Sequence, residues 1–159
     1  MTTTGEEWFK VRNRLERRVI ASASIAHATT HSLELVFAAL LVPIGIEFGA
    51  DLAVLGVVGN AGALTFGVFA LPSGWLVDRF GPRAVMTLAL GGAAVFAMLV
   101  ALSPNLLVLA VTLALLGAGI GLYHPAGISL VATVAKRRGM ALATHGVARG
   151  LWGLRLLLG

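Results

Sequence analysis

His27, His31 and Glu34 are the closest set of residues in this sequence that could do chemistry. Spacings of four and three residues put them on one face of a helix, with Ser24 beside them, inside an otherwise apolar run. Two imidazoles and a carboxylate can hand on a proton or hold a polar substrate, and they cannot all face lipid. This stripe is therefore the first candidate for a substrate or proton path. The competing reading is a hydrogen-bonded polar seam between helices, but three titratable groups on one face exceed what a seam requires. The His27–His31 pair also has the spacing for two metal ligands, with Glu34 as a third. Against a metal stand the missing H-E-x-x-H order, the absence of cysteine, and the position of the other histidines in other segments. No metal and no cofactor is expected. Gly-x-Ser-x-Gly does not occur, and neither Ser73 nor Ser129 has a partner identifiable from sequence, so an enzyme is not expected either.

A second candidate is the run Gly117-Ala118-Gly119-Ile120-Gly121-Leu122-Tyr123-His124-Pro125-Ala126-Gly127. Pro125 removes a backbone donor and should kink a helix near Gly121, exposing carbonyls beside Tyr123 and His124. Irregular membrane backbone is tolerated where protein or a cavity covers it, so these two residues could bind substrate or relay protons. A kink required only for shape is the alternative. Asn60 is a further lining candidate, although a lone membrane asparagine more often joins helices.

The elements that must position these groups are membrane helices. The 159 residues are 58% hydrophobic and 12% charged, with a mean hydropathy of +0.92, where a soluble domain carries about a quarter charged residues. A net charge of +5 does not point to nucleic acid, because the basic residues fall in short clusters between apolar runs. Residues 1–18 read as a basic tail or a short interfacial helix, with Trp8 and Phe9 at headgroup level and arginines facing anionic lipid. Five apolar segments follow: Val19 to Ile46, Leu52 to Val77, Ala84 to Leu102, Leu106 to Ala135, and Met140 to Gly159. All but the last reach the ~20 residues that a crossing needs. The first is too long for the core of a signal peptide and lacks a small-x-small cleavage site.

Lys and Arg set the orientation. Five lie in the amino-terminal tail, two in the Asp78–Arg83 connection and three at Lys136–Arg138, with none in the other two connections. The amino terminus is expected in the cytoplasm, with the chain in the plasma membrane. Gly59, Ala63 and Gly67 on the second segment, and Gly117 with Gly121 on the fourth, have the four-residue spacing that lets helix backbones approach closely. Static packing is the favoured reading over sliding helices.

Between the second and third segments stands Gly74-Trp75-Leu76-Val77-Asp78-Arg79-Phe80-Gly81-Pro82-Arg83. Its G-x-x-x-D-R-x-G-x-R order resembles the loop between helices two and three of the major facilitator superfamily of secondary transporters. The matching positions are Gly74, Asp78, Arg79, Gly81 and Arg83, and Pro82 stands where the family often has a basic residue. The resemblance implies a conformational gate, in which charge pairing by Asp78 and Arg79 locks the cytoplasmic side in the outward-open state. It implies transport of a small organic molecule by alternating access, with lipid as surroundings and a proton as a candidate coupling ion. Leu113, four residues before Gly117, occupies the place of an arginine common in proton-coupled drug exporters, so that form of coupling is not implied. The Tyr123–Gly127 run is similar to a bacterial subset that includes the fosmidomycin-resistance type.

The expected fold is all-α and integral to the membrane: four transmembrane helices plus an incomplete or abnormal fifth, part of a facilitator-type six-helix half. Residues 19–148 would be a partial transporter domain, and 149–159 an atypical tail. Arg149 and Arg155 interrupt the last apolar segment, each costing about 2.5 to 3.5 kcal/mol near mid-membrane. This predicts a truncated or frame-shifted product that does not transport alone. A small oligomeric or accessory membrane protein is the alternative.

Overall fold

The structure is a computed structural model that describes residues 5–147, with side chains from residue 13 onward. Five helices are α1 (Gly5–Ala39), α2 (Leu41–Phe48), α3 (Leu52–Phe80), α4 (Pro82–Ala101) and α5 (Leu106–Val134). A sixth, α6, covers residues 138–147. No strand occurs among the described residues. Arg149 and Arg155, and the tail they were read to mark, lie outside them.

α3, α4 and α5 are each long and apolar enough to cross a membrane, while α1 and α2 qualify only together as one span bent by 51°. The expected count of four crossings therefore holds as three, or four if the bent pair is one span. Two features of the first segment explain the difference. His27, His31, Glu34 and the neighbouring serines and threonines lower its hydropathy. Pro43 has no N–H to give the Ala39 carbonyl, and its ring crowds that carbonyl, so the axis breaks at Leu40. At the other end, helix runs continuously from residue 5 into the apolar part of α1, so the basic stretch and the first span share one helix.

The helix starts are capped where the connections are short. Asp51 accepts from the Val54 N–H at 2.8 Å and Asn105 from the Val108 N–H at 2.9 Å, each satisfying a donor at the first turn.

α5 is the centre of the bundle: 56% of its most apolar stretch is buried, against 11% for α3 and 17% for α4. Its small residues make this possible. A Cβ on Gly117 would run into the Gly62 carbonyl, and one on Gly121 into the Phe66 carbonyl, so α3 and α5 meet backbone to backbone. Gly119 faces α4 instead, where a Cβ would lie 3.3 Å from the Ala93 nitrogen. On α3 the contact row is Gly62 and Phe66. Of the expected row, Gly59 faces the Phe37 ring and Gly67 has open space beside it.

Hydroxyls tie the same helices together. Thr65 Oγ1 lies 2.6 Å from the Ala114 carbonyl and Ser73 Oγ donates to the Leu122 carbonyl at 2.6 Å, both from α3 to α5. Tyr123 Oη donates to the Ala23 carbonyl at 2.6 Å, from α5 to α1. At the polar end, the Lys136 backbone N–H donates to Glu16 Oε1 at 3.0 Å, and its Nζ bonds Asn13. The outer faces of α2, α3 and α5 expose Ile46, Leu71 and Leu107. Side chains of that kind suit hydrocarbon rather than water.

Candidate functional site

All four histidines of the chain converge. His27 and His31 come from α1, His124 from α5 and His145 from α6. The His27 ring centroid lies 4.7 Å from His31, 5.4 Å from His124 and 4.3 Å from His145, and His31 lies 5.0 Å from His124. One ring nitrogen from each of His27, His31 and His124 falls within 4.8 Å of the others. His145 is buried, and its Nδ1 has no hydrogen-bond partner among the described residues.

Three of the rings are positioned by local geometry and by Tyr123. The four-residue spacing stacks His27 over His31 on one face of α1. Tyr123, fully buried, anchors α5 to α1 through the Ala23 carbonyl and so carries its neighbour His124 to that face. α5 stays helical through Pro125, so His124 is presented from a helix and not from a loop. Phe66 closes the α3 side, its ring edge-on to His124 at 5.2 Å.

Glu34 connects this cluster to a cavity. Its Oε2 lies 2.8 Å from His31 Nδ1, and it also lines a cavity of about 100 Å³ between α1, α3 and α5. The rest of the lining is apolar or glycine, including Leu33, Phe37, Gly62, Phe66 and Gly117. A carboxylate is thus held between a stack of imidazoles and an apolar chamber. Such an arrangement can pass a proton along the stack or fix the polar end of a mainly apolar molecule.

The remaining candidates are placed differently. Tyr123 is fully buried and spends its hydroxyl on the bundle. Asn60 is exposed on α3 and does not line the Glu34 cavity. His124 lies in another segment from His27 and His31, but the fold brings the two segments together, so that separation does not speak against a metal. His145 was missed as a member. Its one signal was its position as a further ionisable group in an apolar run, which must find polar company.

The family follows from a sequence comparison: the model of the Major Facilitator Superfamily matches residues 20–154. The chain belongs to the Major Facilitator Superfamily. No match is found among curated proteins or solved structures. Membership indicates a multi-pass membrane protein and a secondary transporter acting on small molecules, and it is consistent with a chain that is not an enzyme.

The facilitator motif sits mostly in helix. Gly74, Asp78 and Arg79 belong to the last two turns of α3, and Arg83 to the first turn of α4. The expected connection from Asp78 to Arg83 contracts to Gly81 alone. That residue has φ 82° and ψ 153°, a region open essentially to glycine, and Pro82 starts α4 with the φ a first helical turn needs. Asp78, Arg79 and Arg83 are exposed, and none makes an ion pair among the described residues.

Proposed function

We propose that this chain carries part of the machinery of a facilitator-type secondary transporter that moves a small organic molecule by alternating access. The observation that carries the reading is the family match, which covers both the histidine cluster and the Gly74–Arg83 motif. His27, His31, Glu34 and His124 serve as the substrate or proton path, and the cavity beside Glu34 is a lining of the right character for an apolar substrate with one polar end. Asp78 and Arg79 act as the gate, with Gly74, Gly81 and Arg83 shaping the turn. Their exposure supports this, since groups that pair in one conformation must be reachable in another. The substrate is left open, because the five-residue Tyr123–Gly127 likeness carries none across.

The amino terminus lies in the cytoplasm, and the membrane is the plasma membrane. The ten-to-zero division of Lys and Arg between the two sets of connections supports the orientation. A reporter fused after Asn105 is expected outside the cytoplasm and one after Arg138 inside. Both on one side would overturn this topology.

The gate is tested in a transport-competent form carrying these residues. Asp78→Asn should remove most transport while insertion stays normal. Near-normal transport by a well-inserted variant would reduce the motif to an insertion anchor. Reconstituted in liposomes, an inert stable oligomer of the present chain would instead favour an accessory membrane protein.

A further inference from the structure

We infer that His27, His31 and His124 form a binding site for one divalent late transition-metal cation, of the zinc, cobalt or nickel kind. The inference rests on reading this cluster as the functional centre of the bundle, and it names the ligand class that the centre takes.

The donor set comes first. Three imidazoles, His27 and His31 of α1 and His124 of α5, meet with ring centroids 4.7 to 5.4 Å apart. A tetrahedral ion with metal–nitrogen bonds of about 2.0–2.1 Å holds its ligand rings at similar separations. Three ring nitrogens already lie within 4.8 Å of one another. Closing them on one ion needs each to move inward by about 1 Å, within reach of small side-chain rotations. His145, buried and with Nδ1 unpartnered among the described residues, packs against the His27 ring beside the site, and the fourth position of a tetrahedral ion is left for water or another donor.

The second observation concerns His31. Its Nδ1 lies 2.8 Å from Glu34 Oε2, so the ring donates its Nδ1–H to the carboxylate and turns a lone pair outward at Nε2. A carboxylate behind a metal-binding histidine fixes its tautomer and raises its basicity, and this is the usual outer partner of such ligands. Glu34 is thus a positioning residue, not a ligand. The donor set also selects the cation: imidazole nitrogens without carboxylate or thiolate suit zinc, cobalt, nickel and copper, whereas magnesium and calcium require oxygen.

The test uses the full 159-residue chain, free of any histidine tag, in lipid nanodiscs. Titration with Co²⁺ should saturate at one ion per chain and develop the intense visible ligand-field bands of a tetrahedral site, and Zn²⁺ should abolish them while Mg²⁺ does not. His31→Ala and His124→Ala should lose the bands. Glu34→Gln keeps all three ligands and should weaken binding by about 10–100-fold, with helical circular dichroism unchanged. The inference is overturned if the folded chain shows no bands, binds cobalt only at millimolar levels, or keeps its affinity in both histidine variants. Because the readout is equilibrium binding, a chain that binds cobalt but fails to transport loses only the proposed function. One that transports without binding loses only this inference.

Discussion

The histidine cluster and the Gly74–Arg83 motif are built on opposite plans. Residues of the cluster come from three helices, up to 118 positions apart between His27 and His145, and meet in the bundle with a buried tyrosine beside them. Those of the motif lie within one ten-residue stretch, and its charged residues Asp78, Arg79 and Arg83 are exposed and without ion-pair partners among the described residues. The cluster exists only because α5 is packed hard against α3 and pinned to α1. The motif exists as soon as two helices are joined by one glycine. Chemistry in the first region depends on the fold, whereas in the second it is carried by the local chain and waits for a partner.

The most forceful way to break this contrast is at Gly117. Alanine there would drive a Cβ into the Gly62 carbonyl, and backbone on both sides cannot yield as a flexible side chain would. Gly117→Ala should destabilise the bundle by about 1–3 kcal/mol, the range for overpacked interiors, as measured by unfolding in detergent. The α3–α5 distance, read by a spin-label pair, should widen. Unchanged stability and distance would mean that the cluster does not depend on this crossing.

That dependence also explains what was legible in the sequence. Gly117 and Gly121 announced a close crossing through their spacing, but their partner row did not, because α3 offers several four-residue rows and only tertiary contact selects Gly62 and Phe66. His27, His31 and Glu34 were visible as one face because helical geometry is local. His145 was invisible as their partner, since nothing in the spacing of α6 relative to α1 fixes a distance. The motif shows the reverse: its residues were all identifiable, yet Asp78 and Arg79 proved helical, because Gly81 and Pro82 turn the chain in less length than the charges suggested.

A gentler probe is the tyrosine that links α5 to α1, two of the cluster's three helices. Tyr123→Phe keeps the ring and removes the bond to the Ala23 carbonyl. Ala23 lies within α1, where its carbonyl also belongs to the helix ladder, so it is not stranded. The expected cost is about 0.5–1.5 kcal/mol in the same unfolding measurement, with the fold retained. A loss several times larger would show that the hydroxyl does more than join α5 to α1.

The smallest effect is expected in the motif itself. Gly74 lies inside α3, and a Cβ there meets nothing within 4 Å. Neither backbone strain nor crowding opposes a side chain and alanine is the better helix former, so Gly74→Ala should leave stability unchanged or raise it by up to about 1 kcal/mol. Its transport is the informative quantity. If glycine is present at this position because another helix approaches it in a second conformation, the variant will be stable and inserted yet slow, and a bulkier Gly74→Val will be slower still. Stability and transport would then separate at one residue, as the contrast between a fold-built cluster and an open, partner-seeking motif requires. Should Gly74→Val transport at the normal rate, no close approach occurs at this face of α3, and the gate would rest on Asp78 and Arg79 alone.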